Sequence, residues 1–131
     1  MILVCCLDKK DGLRFNHRRQ SRDSAVIADL LKQAGGRPIL IDRYSALLFS
    51  EGAQVSDAPE RAGAGEFYFY EGESALPDSR QIESVILYLW NREYPADIRF
   101  DRGLLAGMKR VGKSDFAGTS HEKITKEVYE R

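Results

Sequence analysis

Residues 2–12, ILVCCLDKKDG, hold six consecutive apolar positions closed by a charged turn. An uninterrupted apolar run of this length predicts a strand buried on both faces, which belongs in the middle of a sheet. Asp8 to Gly12 supply the turn, because an Asp-Gly pair suits left-handed backbone angles. Cys5 and Cys6 are adjacent and point to opposite faces of such a strand, so a bond between them is geometrically poor. They read as small buried hydrophobes in a reduced, cytoplasmic setting.

Outward from this strand, Val26, Ile27, Leu30, Leu31 and Ala34 recur at helical spacing, opposite Asp29, Lys32 and Gln33. The pattern predicts an amphipathic helix with Ser21 or Asp23 as its cap and Gly35-Gly36 as its stop. RPILI (37–41) gives a second short strand, and Ser45 reads as the N-cap of a short helix carrying Leu47, Leu48 and Phe49 inward. Asp57 to Glu60 read as another helix start. EFYFYEG (66–72) and ESVILYLW (83–90) are further strands. Strands alternating with helices predict an α/β domain with a mainly parallel central sheet and flanking helices. MKRVG (108–112) and KITKEVYER (123–131) alternate apolar and polar residues, the mark of an antiparallel hairpin at the sheet edge.

At 131 residues, with 43% hydrophobic and 31% charged positions, the chain (1–131) reads as a single domain with a real core. No apolar run approaches the ~20 residues of a spanning helix, so no membrane partner is expected. A secretory signal is not expected from the opening residues. Twenty acidic residues balance twenty Lys plus Arg, leaving no global positive field to gather nucleic acid.

Positive charge is instead local. FNHRRQSRD (15–23) places His17, Arg18, Arg19 and Arg22 in a loop just before the helix, a patch able to neutralise phosphates. His17 and His121 could exchange protons in an acid/base ribonuclease, with the arginines steadying the phosphate. The helix starts at Ser21/Asp23 and at Ser45 are each preceded by arginine, which favours anions. Ordinary capping and solvated surface charge account for the same residues. No metal-ligand spacing occurs, nor a GxSxG elbow, a P-loop or a GxGxxG fingerprint.

In register, these elements resemble the dihydrofolate reductase family. ILVCCLDKKDGLRFN is similar to its first strand and the loop after it, and SRDSAVIADLL (21–31) to its first helix. The resemblance puts Asp23 at the place of the acidic residue that holds and helps protonate a pterin, a role that asks for a raised pKa. RPILIDRYSALLF (37–49) resembles the second strand and the Gly-Arg-x-Thr turn that receives cofactor phosphates, with Arg43 and Ser45 at the Arg and Thr and Asp42 replacing the Gly. EFYFYEG resembles the strand ending in a Gly-Gly pair, of which Gly72 is retained and Glu71 takes the other place. SVILYLWNREYPADIRFD (84–101) and KSDFAGTSHEKITKEVYER (113–131) resemble the long strand and the closing hairpin.

Three readings follow. The resemblance implies an NADPH-dependent reductase, or a descendant with a degenerate nucleotide or pterin cleft, using Asp23, Arg43, Ser45 and Gly72. The residues alone allow an RNA- or nucleotide-binding protein, in one version a ribonuclease, working through His17, Arg18, Arg19 and Arg22. The third reading is an interaction domain, a homodimer through the FYFY face or the C-terminal strand edge.

Overall fold

The computed structural model describes residues 1–49, 53–56, 61–76 and 78–131. The expected helix start at 57–60 lies outside the described residues.

The opening run is β1 (Ile2–Leu7), and it sits in the centre of a seven-stranded sheet. Its neighbours are β6 (Phe67–Phe69) and β7 (Ser84–Leu89), both parallel to it, so that Leu3 lies level with Tyr68 on one side and Val85 on the other. Beyond β6 come β4 (Ile39–Ile41) and β5 (Ala53–Val55), again parallel. Beyond β7 the direction reverses: β10 (Ile124–Glu130) pairs antiparallel to β7, and β9 (Lys109–Phe116) antiparallel to β10. The order is β5-β4-β6-β1-β7-β10-β9. The mainly parallel sheet and the C-terminal antiparallel hairpin are therefore both present.

Because β1 is covered on both sides, its side chains divide by parity. Leu3, Cys5 and Leu7 pack with Tyr68, Val85, Leu87 and Phe100 on one face, and Val4 with Phe69, Ile86 and Tyr88 on the other. Both cysteines are free, on opposite faces, and burial pushes each thiol well up, so neither is a ready thiolate.

Helix α1 (Ser24–Ala34) closes the second face with Val26, Leu30 and Ala34, spaced four residues apart along one stripe. Asp23 is its N-cap, its carboxylate accepting from the Ala25 amide, and Gly35 ends it in the left-handed region at φ 58°. Ser21 is not the cap.

Two expectations are corrected. The segment from Arg43 is a six-residue 3₁₀ turn, Arg43–Leu48, preceded by Asp42. With about three residues per turn, Ser45 and Leu48 share a side and Leu47 is turned out to 93% exposure. Phe49, just past the turn, takes the core place. The basic loop is likewise more ordered than a loop: β2 (Gly12–Phe15) and β3 (Arg18–Arg19) form a hairpin with a two-residue turn at Asn16 and His17. Both turn residues have positive φ, 50° and 62°, as a type I′ turn requires. β8 (Ile98–Arg99) pairs on the other side of β2, making a second small sheet of order β3-β2-β8.

Asp8 ties this small sheet to the large one. Its buried carboxylate accepts from the amides of Lys10 and Gly12 at 2.8 Å and Tyr94 at 3.0 Å, and from Gln20 Nε2 at 3.1 Å. Burial alone would raise its pKa, but these donors together hold it below the ordinary value. Asp8 is thus a structural turn residue.

Candidate functional site: a basic basin beside a buried Asp–His pair

Three loops meet above the carboxyl ends of β1 and β7: the entrance to α1, the segment after β7, and the loop between β9 and β10. Asp23 is their hub. Its Oδ1 accepts from the Ala25 amide, the Thr119 amide and Thr119 Oγ1 at 2.9, 2.9 and 2.8 Å. Its Oδ2 accepts from the Ser120 amide at 2.8 Å and from His121 Nδ1 at 2.9 Å. Burial by itself pushes this carboxyl up, yet the hydrogen bonds from Thr119, His121 and Ser120 outweigh it and hold the group far below the usual carboxylate range. The raised pKa expected of a pterin acid is thus replaced by its opposite: Asp23 stays ionised and spends its lone pairs inside the protein. Gly118 makes the closeness possible, since a Cβ there would lie 2.5 Å from Asp23 Oδ2 and 2.7 Å from the His121 carbonyl oxygen.

His121 is buried at 4% exposure, its ring stacked on Trp90 with centroids 4.6 Å apart and planes 18° from parallel. Its Nε2 faces two hydroxyls, Ser21 Oγ and Tyr94 OH, each at 3.1 Å. An ionised Asp23 can only accept, so Nδ1 carries a hydrogen, and in the neutral imidazole Nε2 is then the nitrogen that can accept from a hydroxyl. His17, by contrast, stands exposed at the hairpin tip. No hydrogen bond or ring contact joins the two histidines.

The cations gather separately. Arg18, Arg19, Ser21, Arg22 and Tyr44 line an open basin of about 470 Å³. Arg19 is partly neutralised: Nε and Nη2 donate to the Glu71 carboxylate at 2.8 and 2.9 Å, Nη2 also donates to the Tyr44 carbonyl, and the guanidinium lies 4.7 Å over the Tyr44 ring. Arg18 and Arg22 are exposed, and their side chains make no hydrogen bond or ion pair with a described residue. On the core side of Ser21 and Asp23 the remaining space, among Cys6, Val26, Phe69 and Trp90, is about 20 Å³. That holds about one water and no bicyclic ring.

The residues matched to a cofactor turn, Arg43, Ser45 and Gly72, do not line the basin. Ser45 is fully buried and donates to Glu71 Oε1 at 2.7 Å. Asp42 is buried and accepts from Tyr68 OH at 3.1 Å. Arg43 is exposed and does not line the basin. Gly72, at φ 86°, faces the small sheet, where a Cβ would come 3.0 Å from Ile98 Cγ2. Sequence reasoning missed Tyr44, Trp90 and Tyr94 as site residues, and the aromatic flanks of Arg43 and of the β7 end were their only local signal. Among the described residues no group of three or more His, Cys, Asp or Glu is placed to hold a metal, and no helix is long and apolar enough to cross a membrane.

No protein-family model matches the chain, and no curated protein matches it. Its fold does have a solved counterpart. Dihydrofolate reductase from Enterococcus faecalis, complexed with NADP(H) and RAB-propyl, matches with a TM-score of 0.66 over 99% of this chain and 95% of that one, at 8% sequence identity. The chain therefore has a dihydrofolate reductase-like fold.

Proposed function

We propose that this chain is a single dihydrofolate reductase-like domain that binds a phosphorylated small molecule, a nucleotide, in the basin of Arg18, Arg19, Arg22 and Tyr44. The observation that carries the reading is that basin. It is of ligand size at about 470 Å³, and two of its arginines have no counter-charge among the described residues. Phosphate oxygens would satisfy the guanidinium donors, as bidentate arginine contacts do elsewhere.

A reductase using NADPH is less well supported. The solved neighbour carries NADP(H). In this chain the matching turn is filled by its own side chains: Ser45 is spent on Glu71, the Asp42 and Glu71 carboxylates stand where glycines would admit a backbone approach, and the six-residue 3₁₀ turn offers no helix terminus. These residues do not fit a nicotinamide dinucleotide. On the core side of Asp23 the space is about 20 Å³, too small for a pterin, while on its outer side Asp23 lines a cleft of about 320 Å³ with Arg22, Ile27, Leu48 and Ser120.

Calorimetric titration with an adenine mononucleotide, NADPH and a short single-stranded RNA tests the reading. The mononucleotide is expected to bind, more weakly as salt rises and in Arg22→Ala, with NADPH binding no tighter. Absence of mononucleotide binding at low salt, or markedly tighter binding of NADPH or RNA, would overturn it.

A further inference from the structure

We propose that Ser21 is a nucleophile, activated by His121 and oriented through Asp23, that acts on the carboxylic ester of a phosphorylated alcohol. The inference rests on the reading of the basin as a phosphate site. Its own basis is a chain of three groups: Ser21 Oγ lies 3.1 Å from His121 Nε2, and His121 Nδ1 lies 2.9 Å from Asp23 Oδ2. A nucleophile, a base and a third group orienting the base are recognised by such geometry and not by their order in the chain.

Several features distinguish this arrangement from a core histidine that has merely satisfied its nitrogens. The base and its orienter are sealed, with side-chain exposures of 2% and 0%, while Ser21 is half-buried and lines the basin. Ser21 has no capping duty, since Asp23 holds that position. Five donors fix Asp23, and the Trp90 ring fixes the imidazole plane, so Nε2 is held at 3.1 Å from the Ser21 hydroxyl, a distance it shares with the Tyr94 hydroxyl. Arg22, unpaired with described residues, lines the same basin as Ser21 and can meet either the phosphate or a developing oxyanion.

The step balances within these groups and water. Ser21 Oγ bonds to the ester carbon while its proton passes to His121 Nε2. The tetrahedral intermediate then collapses, the bond from carbon to the alcohol oxygen breaks, and that oxygen takes the proton from Nε2. Water attacks the acyl-serine in the same manner, giving up a proton to Nε2 that returns to Ser21 Oγ as the acid leaves. Ester and water become acid and phosphorylated alcohol, with no redox partner.

The test is labelling of the whole chain with a fluorophosphonate probe, read by intact mass and peptide mapping. The expected result is one adduct on Ser21, absent in Ser21→Ala and formed about 100-fold or more slowly in His121→Gln. Should His121→Gln not fold, Tyr94→Phe serves instead: it removes the competing hydroxyl, and labelling at least as fast as in the parent is expected. Mononucleotide titration of Ser21→Ala runs in parallel. Nucleotide binding without a Ser21 adduct, or equal labelling of Ser120, overturns the nucleophile and spares the basin. A Ser21 adduct without nucleotide binding supports the nucleophile and overturns the basin reading.

Discussion

Arg19 and Glu71 form a two-pronged ion pair, with Nε and Nη2 donating at 2.8 and 2.9 Å, and the same Glu71 carboxylate takes the Ser45 hydroxyl at 2.7 Å. One acidic side chain thus occupies the cofactor-like turn and also dampens one of the basin's cations. Glu71→Gln keeps the shape and removes the negative charge. We expect mononucleotide affinity to rise, by about two- to tenfold at low salt, because an opposing charge a few ångströms from the phosphate site is gone. Calorimetry on the parent and variant checks this, and unchanged affinity would separate Glu71 from the basin.

Asp23 gives a stability prediction with a defined sign. Its folded-state pKa is depressed below the unfolded value of about 3.9, so its contribution is present above that pH and lost as the pH falls toward the folded value. Asp8, also depressed, adds to the same trend. Urea unfolding should therefore show the parent losing stability below about pH 4. Asp23→Asn should be less stable at pH 7 by about 2–4 kcal/mol and lose less on acidification, because an amide cannot satisfy the donors now aimed at both oxygens.

Gly118→Ala places a methyl group against Asp23 Oδ2 and the His121 carbonyl. A destabilisation of about 1–3 kcal/mol is expected from this overpacking, together with slower labelling of Ser21. Urea midpoints and labelling rates measure the two effects on the same samples.

The leucines of α1 and of the 3₁₀ turn separate core from surface. Leu30→Ala, at a fully buried position, should cost about 2–5 kcal/mol. Leu47→Ala, at 93% exposure, should stay within about 0.5 kcal/mol of the parent. A large effect at Leu47 would restore the inward-facing helix that the sequence suggests.

Legibility followed the range of the interactions involved. β1 and α1 were readable because their signals are local: six apolar residues in a row, and a repeat every four residues closed by Gly35. The 3₁₀ turn was misread because Leu47, Leu48 and Phe49 suit a helix as well as a tighter turn, and only the geometry of the turn decides which faces inward. The hairpin at Asn16 and His17 was missed because it lacks the Asn-Gly pair that usually marks a type I′ turn. Asp23 stands out in the sequence, but its lowered pKa is not legible there, since four of its five donors come from Thr119, Ser120 and His121, about a hundred residues away. The Ser21–His121 contact, 100 positions apart, leaves no local trace at all.

The central claim is where a phosphate sits, and amide chemical-shift mapping by two-dimensional NMR during titration with an adenine mononucleotide tests it most directly. The account predicts saturable shifts concentrated at Arg18, Arg19, Ser21, Arg22 and Tyr44. Shifts centred instead on Arg43, Ser45 and Gly72, or none at saturating nucleotide and low salt, would contradict it.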